Sequence, residues 1–329
     1  MLFNTVSGLI NKLRNHKGFI KYSKNTFWLL IEKIFKGVGV LLIGIWIARY
    51  LGPKDFGILS YSISVVFLFS CFSNLGLDNI VVRELVRNEE KYSVFLGTAF
   101  WLKIFGAILS IGLICFFSFL FSNSNNENIL ILVIALAHIF YSFKVIDFYF
   151  QSKVLSRYSV YASLLSVIIS IIVKVLLILN QAPVLSFAYV FAFDSLTLAL
   201  GYYFWYSRNN LSIKEWSFDK AVAVSLLKNS WPLILSALFI SMYLKIDQVM
   251  IKIMIDSQSV GQYAAAVTLC EGWYFLPMII NISIFPAIIN SRKDPIIYKK
   301  RIQNLYKLMF FLAIIIAIPM TALFPHIQI

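Results

Sequence analysis

The chain has 329 residues, 60% of them hydrophobic and only 13% charged, with a formal net charge of +14 and a mean hydropathy of +0.81. A soluble domain is nearer half apolar and a quarter charged, and a single soluble core stops growing near ~250–300 residues, so this composition excludes a soluble globular protein. The same charge would point to nucleic acid in a soluble chain, but here the basic residues fall between apolar runs, where they read as membrane orientation, and a nucleic-acid partner is set aside.

Residues 1–26 are polar and basic, carrying Lys12, Arg14, Lys17, Lys21 and Lys24. Leu2, Phe3, Val6, Leu9, Ile10 and Leu13 repeat among them at helical spacing. Such a segment either lies on anionic lipid or packs on the bundle. No small-residue cleavage site follows the first apolar run, which is therefore a retained helix rather than a leader.

Nine runs are long enough to span, since a spanning helix needs about 20 mostly apolar residues. They cover roughly residues 27–50, 56–77, 94–121, 129–150, 158–180, 183–206, 231–255, 260–286 and 305–325. The fold class is thus all-α, a polytopic transmembrane helix bundle. Alternate connectors carry twenty Lys and Arg, whereas the other set holds only Lys54. Basic loops stay in the cytoplasm, so the N-terminus is predicted to be cytoplasmic. A second basic stretch at 207–230, with Trp216, Phe218, Ala221, Val222, Val224 and Leu227, is interfacial or a linker packed on the bundle.

An internal repeat crosses the chain at an offset of 204 residues. Asn25-Thr26-Phe27-Trp28 opens the first span and Asn229-Ser230-Trp231-Pro232 the seventh. Each following span begins after a short turn and a glycine, Gly57 in one case and Gly261 in the other. The two copies start six spans apart, so they run in the same direction. Parallel repeats build two-lobed transporters with a site between the lobes. This predicts a lobe of six helices (27–206), a linker (207–230) and an incomplete second lobe of three (231–329), after the basic segment 1–26.

Several charges fall inside spans, where each costs about 2.5–3.5 kcal/mol unless it meets a partner or water. Lys33, Lys36, Arg49 and Lys252 lie near span ends and can snorkel. Lys103, Lys144, Lys174 and Lys245 are deeper, with Asp147, Asp194, Asp247 and Glu271 as available partners. Lys144 and Asp147 are one helical turn apart, which predicts an internal ion pair. Lys245 and Asp247 point to different faces, so one of them faces a cavity or another helix. More bases than acids at depth predicts a cationic cavity suited to a phosphate or pyrophosphate. Asp194 and Glu271 could carry protons, while His138 reads as a satisfied packing histidine.

No enzymatic motif is present: there is no Walker A sequence, no HExxH, no GxSxG and no catalytic carboxylate pair on a loop. Cys71, Cys115 and Cys270 are scattered in apolar runs, which gives no disulfide framework and no metal site. Neither a cofactor nor an enzyme is predicted.

The stretch Ala48-Arg49-Tyr50-Leu51-Gly52-Pro53-Lys54-Asp55-Phe56-Gly57 resembles the signature of bacterial polysaccharide flippases. So do Gly76-Leu77-Asp78-Asn79-Ile80-Val81-Val82-Arg83-Glu84-Leu85, Lys245 through Ile251, Val260 through Ala266 and Glu271 through Pro286. The chain is similar, over about residues 25–325, to the O-antigen or capsule (Wzx-type) branch of the multidrug/oligosaccharidyl-lipid/polysaccharide exporter superfamily. That resemblance implies alternating access in the bacterial inner membrane, moving undecaprenyl-pyrophosphate-linked oligosaccharide units outward. It implies membrane lipids, the polysaccharide polymerase and chain-length proteins as partners. Carried onto this sequence, it implies headgroup contacts at Arg49, Lys103 and Lys245, with Asp247 beside them. Ion coupling or internal pairing falls to Lys144, Asp147, Lys174, Asp194 and Glu271. The alternatives are lipid II or drug efflux within the superfamily, or a non-transporting assembly subunit. Members usually carry twelve or fourteen helices, so six plus three implies a shortened copy or a partner supplying the rest, with truncation favoured.

Overall fold

The computed structural model describes residues 17–121, 125–292 and 294–323. The amphipathic pattern of Leu2 through Leu13 lies outside them. Among the described residues there is no strand. Helix α1 (Lys17–Leu68) is followed by α2 (Ser70–Asn74), α3 (Asp78–Arg87) and the long α4 (Tyr92–Phe121). The fourth span is segmented into α5 (Asn125–Ala135), α6 (Ala137–Phe140) and α7 (Val145–Ser152), with a 3₁₀ turn at Tyr141–Lys144. Then come α8 (Arg157–Leu179), α9 (Val184–Arg208), α10 (Lys220–Met254), α11 (Ser257–Glu271), α12 (Phe275–Asn290) and α13 (Pro295–Leu323).

Helix α1 has 52 residues, and a straight helix of that length would reach about 78 Å, more than twice the ~30 Å hydrocarbon core. It breaks at Gly52, whose φ of 68° is open to glycine but costly for a side chain, and Pro53 follows without an amide proton to donate. Contacts show that the two arms run in opposite directions. Along the first arm, Asn25 donates to Ser156 (3.1 Å), Ser163 to Glu32 (2.7 Å) and Tyr50 to the Ala182 carbonyl (2.9 Å), so it runs beside α8 in parallel. Along the second arm, Ser64 donates to Gln248 (2.7 Å), Ser241 to the Leu68 carbonyl (3.3 Å), and Gly76 lies against Ser230 and Leu233. That arm runs antiparallel to α10. Seven other described helices or helix runs are each long and apolar enough to span. With the bent run Asn25–Leu68 and Ser70–Arg87 counted as one more, this makes eight candidate spans among the described residues, and the architecture is a two-lobe helical bundle.

Two apolar clusters sit at opposite ends. At the end that carries Asn25 and Ser156, Leu77, Leu85, Leu96, Phe148, Phe150 and Tyr206 pack together. At the far end, Ile47, Phe56, Leu59, Ile131 and Phe187 pack with Val249, Val260 and Ala264 of α10 and α11. Burying a large apolar side chain fully is worth about 1.5–3 kcal/mol relative to water, but lipid removes most of that gain between helices, so close packing and hydrogen bonds decide the arrangement.

Two element boundaries differ from those expected. Helix α10 begins at Lys220, capped by the Asp219 carboxylate accepting from the Val222 amide (2.8 Å), and so absorbs half of the 207–230 stretch. Trp216 packs on the bundle: its indole N–H donates to the Tyr206 hydroxyl (3.0 Å) and its ring packs on Phe100. The eighth span is interrupted by the turn Gly272–Tyr274 rather than continuous.

Candidate functional site

The sequence repeat becomes a physical axis at the far end. A Cβ on Gly57 would overlap the Ser257 carbonyl, and a Cβ on Gly261 would overlap the Pro53 carbonyl. Adding 204 to one partner and subtracting it from the other turns the first contact into the second. The same operation converts the Ser64–Gln248 hydrogen bond into the packing of Gly44 on Thr268. It also converts the stacking of Lys252 over Tyr61 (5.9 Å) into the neighbouring pair Ala48 and Ala265. The first arm of α1 with α11, and its second arm with α10, are therefore two related seams.

Between these seams and α8 and α9 lies a cavity of about 480 Å³. One face of α8 supplies Ser163, Ser166, Ser170 and Lys174, residues three and four apart and so stacked on one side of the helix. Lys174 donates to Asp194 (3.0 Å) and to Ser170 (2.7 Å), and Ser170 donates to Asp194 Oδ2 (2.8 Å). The second oxygen of Asp194, Oδ1, is buried and has no protein partner. Across the cavity Lys245 pairs with Glu271 (3.3 Å). Near the end that carries Asn25, Lys36 pairs with Glu32 (2.8 Å), which also accepts from Ser163 (2.7 Å).

The cavity predicted to be cationic has bases outnumbering acids by one in its wall, and those bases are paired. Its walls carry Lys36, Lys174 and Lys245 against Asp194 and Glu271, and Glu32 sits on Lys36. Each lysine meets a carboxylate, because an isolated charge in this apolar bundle would cost several kcal/mol. What the arrangement offers is a polar chamber of hydroxyls and exchangeable ion pairs.

The predicted site residues divide between places. Lys245, Lys174, Asp194 and Glu271 line the chamber. Arg49 does not; it is exposed beside a smaller groove of about 200 Å³ that also involves Gly44, Ala48 and Thr268. Asp247 lies off the chamber, accepting from the Tyr263 hydroxyl. Lys103 is 1% exposed and donates to Asn74 (2.7 Å) and Asp78 (3.2 Å). Lys144 also takes Asp78 (2.7 Å), not Asp147 as the one-turn spacing predicted. Asp147 accepts from Gln151 (2.8 Å) instead. Both lysines stand over the Phe148 ring, at 5.3 and 6.0 Å. His138 bonds Ser110 (3.0 Å), whose hydroxyl donates to the Phe69 carbonyl (2.9 Å) just past the end of the second arm. Sequence reasoning missed the serine face of α8, Glu32 and Gln248. The serines were legible as a three-and-four repeat inside an apolar span.

Among the described residues, no group of three His, Cys, Asp or Glu side chains converges as a metal site. A family model described as "Polysaccharide biosynthesis protein" matches residues 22–292. No curated protein matches the chain. Among solved structures, the chain is similar to an inward-facing multidrug resistance MATE family transporter of the MOP superfamily (TM-score 0.66, 14% identity, 91% of this chain and 72% of that one). It is also similar to a MATE protein in complex with Br-NRF (TM-score 0.57, 15% identity, 92% and 75%) and to a MATE protein in a bent conformation (TM-score 0.54, 13% identity, 94% and 73%). At these identities the likeness is one of fold.

Proposed function

The chain belongs to the polysaccharide biosynthesis protein family, and from that premise we propose that it moves undecaprenyl-pyrophosphate-linked oligosaccharide units from the inner to the outer leaflet. Membrane transport in the MOP superfamily is the activity of this family and fold, and the chain is a transporter rather than an enzyme. The observation that carries the substrate reading is the chamber: hydroxyls and lysines enclosed by lipid-facing helices, suited to a sugar chain and an anionic headgroup whose tail stays outside. The pyrophosphate takes Lys245 and Lys174 from Glu271 and Asp194, and the displaced carboxylates accept protons or a metal cation. Arg49 attends the headgroup at the far end of the side groove.

In this reading the basic end is cytoplasmic, the membrane is the bacterial inner membrane, and the product feeds O-antigen or capsule. The polymerase and chain-length proteins act next. Residues 27–206 form the first lobe, 207–230 the linker and 231–329 the second. Lys103, Lys144 and Asp147 hold the first lobe together and do not touch substrate.

The test is complementation of a strain lacking the gene. Lys245→Ala is expected to lower surface polysaccharide about tenfold, the effect of roughly 1.4 kcal/mol, with lipid-linked units accumulating inside. Normal surface polysaccharide in the deletion strain would refute the reading. Export of cationic drugs is the second reading, favoured by the carboxylates Asp194 and Glu271 in the chamber wall. It predicts dye sensitivity in the deletion strain and unchanged polysaccharide.

A further inference from the structure

The ion pairs named above lie within one lobe: Lys174 with Asp194, Lys36 with Glu32, and the two lysines on Asp78 in the first, and Lys245 with Glu271 in the second. One further pair does not. Lys252, at the end of α10, meets Glu127, at the start of α5, at 2.6 Å. The two are 125 residues apart in sequence. Their side chains are only 19% and 13% exposed, so water screens the pair weakly. Lys252 also donates to the Ser257 hydroxyl and stands over the Tyr61 ring of the second α1 arm. It thus holds α5 and α1 of the first lobe and the start of α11 in the second.

This pair sits beside the axis. Ser257 is the residue whose carbonyl touches Gly57, and Gly57 faces Gly261. The glycine contact is backbone against backbone, without side chains to interlock, so little beyond dispersion resists its separation. The charge pair next to it supplies the directional hold that the glycines lack.

We propose that Glu127 and Lys252 form a latch that keeps the two lobes shut at the far end of the bundle, and that the chamber opens at that end only when the pair parts. The latch rests on the alternating-access and sidedness reading above. It assigns a conformational role to two residues that contact no chamber wall, and it makes Tyr61 the surface on which the lysine is retained.

The experiment follows accessibility rather than transport. In a chain whose Cys71, Cys115 and Cys270 are replaced by serine, Ser60→Cys places one thiol in the chamber wall near the far end. Labelling by a membrane-impermeant maleimide is timed in intact cells. Glu127→Gln and Lys252→Met are each expected to accelerate it about tenfold, since parting a shielded pair leaves one charge uncompensated. The exchanged pair, Glu127→Lys with Lys252→Glu, restores the opposite charges and is expected to return labelling towards the parent rate. Single variants that are folded in detergent yet label at the parent rate would overturn the latch. So would an exchanged pair that labels as fast as the single variants. Acceleration confined to inside-out vesicles would keep the latch and reverse the sidedness. Because no polysaccharide is needed, the latch can stand while the substrate reading falls, and the reverse is equally visible.

Discussion

The two seams between the lobes are related by one operation, yet they are built from different chemistry. Where the second α1 arm meets α10, the contacts are polar: Ser64 bonds Gln248, Ser241 bonds the Leu68 carbonyl, and Lys252 covers Tyr61. Where the first arm meets α11, the equivalent places hold Gly44 on Thr268 and Ala48 near Ala265, with an apolar groove alongside. One seam is held by directional bonds and the other by small surfaces. Directional bonds have discrete made and broken states, whereas small residues let backbones approach closely without a directional lock. A duplicated fold thus carries one seam fastened by directional bonds and one packed on small surfaces.

The sharpest way to break the comparison is at the axis, where both seams meet. Gly57→Val puts a branched side chain into the Ser257 carbonyl and is expected to cost about 3 kcal/mol, the upper end of overpacking. A large fall in the detergent melting temperature checks it, and Gly261→Val should match it. A Gly57 variant as stable as the parent would mean that the reciprocal contact is not tight. Next, Gln248→Leu leaves the Ser64 hydroxyl, 1% exposed, without its partner. About 1–3 kcal/mol is expected, with part recovered by adding Ser64→Ala. At the small-residue seam, Gly44→Ala meets Thr268 Cγ2 at 3.1 Å. A change within about 1 kcal/mol is expected there, because one methyl group must give by a few tenths of an ångström.

The smallest effect lies in the turn between α10 and α11. The Asp256 carboxylate accepts from the Ser259 amide (2.7 Å), and that hydrogen bond holds its pKa below the usual carboxylate range. A lowered folded-state value means that the carboxylate's contribution is present above about pH 4 and fades as pH falls through the folded value. Melting temperature should therefore be flat from pH 7 to pH 5 for this group and drop in more acid buffer. Asp256→Asn should lessen that acid drop slightly, and an unchanged slope would remove the cap from the account.

Much of the fold was legible because two signals were long-range and redundant. Lysine and arginine alternate between connectors twenty to one, and the 204-residue offset repeats both a motif and a direction. The partners of the charges were not legible. Lys144 had Asp147 one turn away, yet it reaches Asp78, 66 residues back in sequence. Helix-to-helix packing chose that carboxylate, and local spacing carries no record of packing. The pairing of the chamber's charges was missed for the same reason: counting bases and acids along spans ignores that Glu32 and Glu271 turn towards lysines on the same or neighbouring helices. The segmentation of the fourth span at Tyr141–Lys144 left no glycine or proline to mark it.

The carboxylate of Asp78 has a consequence for biogenesis. A lone lysine at the middle of a spanning helix costs about 2.5–3.5 kcal/mol to insert, and Lys103 lies well inside α4. Asp78 precedes it by 25 residues, so its neutralising partner has already left the ribosome when the third span is threaded into the membrane. Lys144 is synthesised later and joins a pair that exists. The order of residues along the chain thus delivers the acid before the first base and the first base before the second, so neither Lys103 nor Lys144 enters the membrane ahead of its carboxylate.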